Sequence, residues 1–329
     1  VNTLLIFGLG YSARAVAEAV PDFTVVATSR SVEARAQPSQ VAPGDAPPLS
    51  LRAERSNLLT REMRGSSRRF APRDDRRTSD ALTVAIVPFD AAEAAIAAAT
   101  HILVTAPPAP IGDPVLHRYA EVIAAAPGLR WIGYLSSTVV YGDRGGAWVD
   151  EETTPAPSQP RGQRRLDAEL AWSRFAPSHA VDLFRLAGIY GPGRSAFDDL
   201  RAGSARRLSK PGHQFGRIHR DDIGRAVAAA MRQARGPGRR VLNLADDVPS
   251  ESAAVVTEAA RLLGVPPPPE IAFADALSAM SPMARSFWAE NRKVGSRKTQ
   301  QALGLRWLYP SFREGLAAIW REERGDRPP

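Results

Sequence analysis

Short apolar runs alternate with longer stretches whose apolar residues recur at helical spacing, and the alternation persists through the first half of the chain. Residues 1–7 (Val-Asn-Thr-Leu-Leu-Ile-Phe) form the first run, 24–28 the second, 83–87 the third, 101–105 the fourth and 131–136 the fifth. Helical periodicity follows the first run and recurs over 91–99 and 115–125. Runs at 181–185 and 241–244 read as later strands. Strands separated by helices imply right-handed crossovers and a parallel sheet covered on both faces. The expected fold class is therefore α/β, a doubly wound parallel sheet with a smaller C-terminal α/β lobe.

After residue 186 the alternation loosens. Helices are predicted over 163–175, 222–235, 252–263, 274–280 and 311–321, and Pro266–Pro269 reads as a stiff extended connector. This gives a first domain over 1–186 and a substrate lobe over 187–329, with 213–248 returning to the sheet. One segment breaks the pattern. Between Arg30 and Ala81, prolines, serines and arginines replace periodic apolar positions. Low hydrophobicity with high charge cannot offset the entropy of ordering a chain. Residues 36–80 are read as a disordered insertion, with a short helix allowed near 52–63.

The turn after the first run carries the most specific chemistry. Gly8-Leu9-Gly10-Tyr11-Ser12-Ala13 joins strand to helix. Gly8 suits the tight turn, Gly10 lets backbone approach a pyrophosphate, and Ala13 lets helix pack on strand. The helix start then offers unpaired N–H groups and a positive dipole end to phosphates. These positions form a candidate dinucleotide site.

Composition narrows the rest. The chain has 329 residues, no cysteine and a formal net charge of +8. Zero cysteines excludes disulfides, thiolate catalysis and cysteine-ligated zinc. Nine arginines against four acids fall within 51–77, inside the proposed insertion, and lysine occurs only at 210, 293 and 298. The positive excess therefore reflects an arginine-biased composition, and no nucleic-acid partner is expected. No stretch approaches the roughly eighteen uninterrupted apolar residues of a membrane span, and no charged-then-apolar leader opens the chain. A cytoplasmic protein without a membrane partner is expected. His213 and His219 lack a third ligand, so no metal site is expected.

Three further motifs carry a resemblance. Tyr134-Leu135-Ser136-Ser137-Thr138-Val139-Val140-Tyr141-Gly142, then Arg185-Leu186-Ala187-Gly188-Ile189-Tyr190-Gly191-Pro192-Gly193-Arg194, then Ile218-His219-Arg220-Asp221-Asp222-Ile223, occur in the order seen in extended short-chain dehydrogenase/reductases. That is the family of nucleotide-sugar epimerases and dehydratases. The closing stretches 281–288, 290–294 and 309–316 resemble a bacterial subgroup of atypical members, described only as NAD(P)-binding or epimerase-like. The resemblance implies a Rossmann fold, a nicotinamide dinucleotide and a small-molecule substrate, and leaves a homodimer open.

It also exposes a gap. Members that transfer hydride use a Tyr and a Lys four residues later on the helix after the Ser strand. Anchored on Glu169, those positions fall at Arg161 and Arg165, and none of the six tyrosines is followed by a lysine four residues on. Guanidinium stays protonated at working pH, so arginine cannot carry the proton. It can hold a carboxylate or phosphate. The candidate catalytic residues are Ser137, which corresponds to the family's Ser/Thr, Tyr141 as a substitute proton carrier, and Arg161 and Arg165 as polarising cations; His219 is a further candidate proton source.

The candidate cofactor residues are Gly8, Gly10, Tyr11, Ser12, Ala13, Arg30, Thr105, Ala106, Pro107, Ser136, Ala187 and Gly188. Thr28-Ser29-Arg30 ends the second strand without the carboxylate that binds an adenosine ribose diol. Arg30 suits a 2′-phosphate, so NADP(H) is preferred, with NAD(H) as the alternative. Three functions are compatible with these residues. One is an oxidoreductase or epimerase-like enzyme on a small, anionic or nucleotide-linked substrate. The others are a non-catalytic NADP(H) redox sensor and a binding descendant with a degraded site.

Overall fold

The computed structural model describes residues 2–29 and 84–325. The expected insertion at 36–80 and Arg30 lie outside the described residues. Seven parallel strands make the central sheet: β1 (Thr3–Phe7), β2 (Thr24–Ser29), β3 (Val84–Pro88), β4 (His101–Val104), β5 (Trp131–Ser137), β7 (Ala180–Leu186) and β11 (Gly238–Leu244). Their order is β11-β7-β5-β4-β1-β2-β3, which reverses direction between β1 and β4. Ligands of open α/β sheets bind at such a switch point, outside the carboxyl ends of the strands. Three small parallel pairs complete the strands: β6 (Trp148–Val149) with β13 (Lys293–Val294), β8 (Gly188–Tyr190) with β10 (Arg217–His219), and β9 (Arg207–Ser209) with β12 (Glu270–Ala272).

Period-two burial explains why β1 is apolar throughout. Leu4 and Ile6 face one core with Val16, Val227 and Phe184, while Leu5 and Phe7 face another with Ile102, Tyr119 and Trp172. On the first face lie α1 (Tyr11–Ala19) and α6 (Arg220–Arg232); on the second lie α2 (Glu93–Ala98), α3 (Pro114–Ala124) and α4 (Pro160–Ser173). A Cβ on Gly224 of α6 would meet the Ala15 carbonyl of α1 at 2.5 Å, so the bare glycine sets how closely these helices cross. Asp113 caps α3 by accepting from the Val115 and Leu116 amides, and its other oxygen accepts from the Trp172 indole at 3.1 Å. One carboxylate thus ties α3 to α4.

The C-terminal elements are α5 (Ala196–Arg201), α7 (Ser252–Leu263), α8 (Phe273–Ala276), α9 (Pro282–Trp288), α10 (Arg297–Leu303) and α11 (Phe312–Glu323). Helices α5, α7 and α11 close one small core around Tyr190 and Phe197, and α8 and α9 close another around Trp288 and Leu208. Within 213–248, β11 joins the edge of the main sheet, whereas β10 pairs with β8 outside it. Among the described residues, no helix is long and apolar enough to cross a membrane.

Candidate functional site

The turn from β1 to α1 is built to stay open. Gly8 sits at φ +95°, a conformation only glycine adopts freely. Its N–H donates to Thr28 Oγ1 at 3.2 Å, and Thr105 Oγ1 donates to its carbonyl at 2.9 Å. A Cβ on Gly8 would stand 3.0 Å from that Thr105 oxygen. Thr105 therefore braces the glycine turn from β4, with Ala106 and Pro107 following it outward. Gly10 is the N-cap of α1, makes no side-chain cap bond and has no acidic residue in the turn beyond it. A Cβ placed there would meet nothing within 4 Å. The helix start therefore keeps bare amides over free space, with Ser12 and Ala13 inside its first turn. That cradle fits a dinucleotide diphosphate.

Tyr11 faces the opposite way. Its hydroxyl donates to the Pro192 carbonyl at 3.0 Å, and its ring lies between the guanidinium groups of Arg194 and Arg220 at 5.8 and 5.6 Å. Burial pushes the phenol's pKa up, against the pull of the two cations. Tyr11 thus contributes its backbone to the cradle and its side chain to a clasp on the Gly191–Arg194 turn. Among the described residues Arg194 makes no ion pair, and its buried Nε has no hydrogen-bond partner.

At the carboxyl end of β5 two adjacent serines part ways. Ser136 is buried, and its hydroxyl donates to Glu169 Oε1 at 2.6 Å. Glu169 in turn takes a paired bond from Arg185, with Nη2 to Oε2 at 2.7 Å. The Arg185 guanidinium lies 4.8 Å from the Tyr141 ring centre, and the Tyr141 hydroxyl donates to Asn243 Oδ1 at 2.7 Å. Asn243 closes the chain by donating to the Gly295 carbonyl. This buried network runs from β5 through α4 and β7 to β11. It commits the Ser136 hydroxyl to Glu169 and that of the wholly buried Tyr141 to Asn243. Ser137 remains half-exposed, accepting only from the Val139 amide at 3.4 Å.

The two arginines of α4 also diverge. Arg165 is engaged: Nη1 donates to the Leu135 carbonyl at 2.9 Å and to the Tyr134 hydroxyl at 3.1 Å. Arg161 lies at the exposed start of the helix, 5.5 Å from the Phe287 ring centre of α9, with no acid paired to it among the described residues. Partial burial, followed by the charges of Arg165 and Arg164, lowers its pKa. A Cβ on neighbouring Gly162 would stand 3.0 Å from the Val139 carbonyl, so the first turn of α4 lies against the Ser137–Tyr141 turn. The first turn of α4, which carries Arg161, therefore lies close to the turn that follows Ser137.

Ala187 and Gly188 line the start of the next turn, where Gly188 donates to the Gly216 carbonyl and leaves room for little else, a Cβ meeting that oxygen at 3.2 Å. Tyr190 is buried and donates to Asp246 Oδ2 at 3.1 Å. His219 is buried too: its Nδ1 accepts from the Asp221 amide, capping α6, and burial brings its pKa down to about 4. Neither presents a proton to the cleft. The stretch 150–152 reads from sequence as a solvated loop. Asp150 and Glu152 are exposed there and pair with Lys298, while Glu151 accepts from Thr299 Oγ1 at 2.6 Å. Among the described residues no group of three or more His, Asp or Glu is placed to hold a metal ion.

No family model matches the chain. Protein YeeZ of Escherichia coli (strain K12) is 30% identical over 135 residues, 41% of this chain and 47% of that protein. A 3-diazoavenalumate denitrifying reductase of Streptomyces sp. is 31% identical over 160 residues, 46% of this chain and 51% of that one. The chain spans about half the length of the curated relatives it matches. A solved structure of a functionally unknown conserved protein from Silicibacter pomeroyi is 36% identical, with a TM-score of 0.76 over 98% of this chain and 99% of that one. The chain belongs to the same family as that protein. Its fold is that of the extended short-chain dehydrogenase/reductases. Solved structures of MoeE5 with UDP-glucuronic acid and NAD, and of human epimerase family protein SDR39U1 with NADPH, align over 99% and 97% of this chain and 100% and 99% of theirs. Their TM-scores are 0.67 and 0.65, at 18% and 14% identity. Glu169, Arg185 and Asn243 are supporting residues to which motif reading gave no role. Glu169 served there only as an anchor for counting.

Proposed function

We propose that this protein is an NADP(H)-dependent oxidoreductase or epimerase-like enzyme acting on a small anionic substrate. The carrying observation is the uncapped, acid-free start of α1 above the open space at Gly10, set beside Ser137 across the sheet's switch point. Gly8, Gly10, the backbone of Tyr11 to Ala13, Thr105, Ala106 and Pro107 would hold the dinucleotide, with Ala187 and Gly188 beside its nicotinamide. NADPH in SDR39U1 and NAD in MoeE5 support a nicotinamide dinucleotide in this fold. Arg30, the residue that follows Ser29 in the sequence, is the one proposed to select the 2′-phosphate. Beyond β3, Phe89, Ile111, Pro114, His117 and Arg118 line an open cleft at the same sheet edge.

A bound nicotinamide would supply or accept hydride. Ser137 would orient a substrate oxygen by hydrogen bonding, and Arg161 would stabilise negative charge on it. With Tyr141 and His219 both committed to internal bonds, the proton would come from water. Turnover of NADPH with a panel of carbonyl and unsaturated acids tests this reading. Oxidation of the reduced ring that Ser137→Ala abolishes is the expected result. The locked hydroxyl of Tyr141 also favours a second reading, a non-catalytic NADP(H) sensor. Tight cofactor binding without turnover, and a partner protein retained in one redox state alone, would select that reading.

A further inference from the structure

We propose that the surface where the start of α4 meets α9 takes planar conjugated carboxylates, with Arg161 pairing the carboxylate and Phe287 stacking on the ring. The assignment deepens the reading of the cleft as a substrate site and rests on it. Three contacts bring this surface together. Gln159 Nε2 donates to the Ser286 carbonyl at 3.1 Å, Ser158 Oγ donates to Glu290 Oε1, and the Arg161 guanidinium lies 5.5 Å from the Phe287 ring centre. The first turn of α4 is meanwhile pressed against Val139, two residues beyond Ser137.

What lies open there is chemically mixed. Met283 and Phe287, four apart on one face of α9, are 68% and 49% exposed, while Ala284 and Trp288 on the adjacent face are buried. A half-exposed aromatic ring and a flexible thioether present apolar surface there. Arg161 has no acid among the described residues, unlike Arg185, Arg201, Arg232, Arg240 and Arg292 elsewhere in the fold. Its planar fork matches a carboxylate through two parallel N–H···O bonds. A ligand that satisfies both features carries a carboxylate conjugated to, and coplanar with, an apolar or aromatic body.

Isothermal titration of the full chain, with and without NADPH, tests the assignment using 4-hydroxycinnamate, its methyl ester and UDP-glucose. The acid is expected to bind, and the ester to bind about tenfold more weakly or not at all. Arg161→Met should weaken the acid by about tenfold, Arg161→Lys should restore part of the loss, and Phe287→Ala should cost about fivefold. NADPH affinity and thermal midpoint should stay unchanged in all three variants. Acid binding that persists in a chain unable to bind NADPH supports this site while refuting the cofactor reading. NADPH binding without acid binding, equal affinity for acid and ester, or UDP-glucose binding that survives Arg161→Met would overturn it.

Discussion

At Tyr141 the phenol lies wholly inside the protein, held by Asn243 on one side and by the Arg185 guanidinium over its ring on the other. Burial raises its pKa, so it stays protonated and structural. Tyr141→Phe should therefore leave turnover within a few-fold while costing about 1–2 kcal/mol of stability, read by urea denaturation, because Asn243 Oδ1 loses its donor. Ser137→Ala should do the reverse, abolishing turnover at unchanged stability. Sequence could place both hydroxyls near the strand end. It could not show which one the fold consumes, because Asn243 is about a hundred residues away in the chain.

Three buried histidines give a second test at this scale. Burial brings His101, His213 and His219 each down to about 4. Unfolded, each takes up a proton near pH 6.5, so between about pH 6.5 and 4 the unfolded chain binds more protons. Stability is then complete above that window and falls as pH drops through it, by up to about 3 kcal/mol per histidine. Thermal midpoints measured from pH 7.5 to 5 should fall accordingly. The slope should be shallower for His219→Asn, whose side-chain oxygen can still cap α6.

Between elements, the Glu169–Arg185 pair bolts α4 to β7 beneath the cleft, and Ser136 connects that bolt to β5. Both side chains are nearly unexposed, at 3% and 5%. Removing one charge leaves the other buried alone, so Glu169→Gln should cost about 3–5 kcal/mol. Chemical denaturation checks it, and Ser136→Ala should cost less. The elements themselves were largely legible. The apolar runs and helical periods place five of the seven sheet strands within about a residue, β1 within two, and helix α7 at its observed limits. β11 begins three residues earlier than its apolar pattern, at Gly238, because Arg239 and Arg240 on the sheet edge carry ladder bonds without apolar side chains. The short pairs β6·β13 and β9·β12 join segments more than sixty residues apart, too brief and too distant to show as periodicity.

Across the whole molecule, the strand order places the glycine turn, the Thr105 brace, the Ser137 strand end and the first turn of α4 along one sheet edge. Motif order alone made that edge legible, since each motif follows a strand whose position in the sheet is set by topology. The direction of each side chain was not legible: Ser136, Tyr141, Tyr190 and His219 all point into protein. The cofactor's phosphate preference belongs to this scale as well. If Arg30 selects the 2′-phosphate, Arg30→Ala should weaken NADPH by about tenfold and leave NADH unchanged, measured by quenching of tryptophan fluorescence.

The central claim is that the bare start of α1 receives a dinucleotide diphosphate. Calorimetric titration of NADPH into wild-type protein and into Gly10→Asp tests it most directly, since a side chain at Gly10 meets open space and leaves the fold intact. Saturable one-to-one binding by the wild type, lost in Gly10→Asp at an unchanged thermal midpoint, is the predicted result. Absence of NADPH and NADH binding by the wild type, or equal affinity in Gly10→Asp, would contradict it.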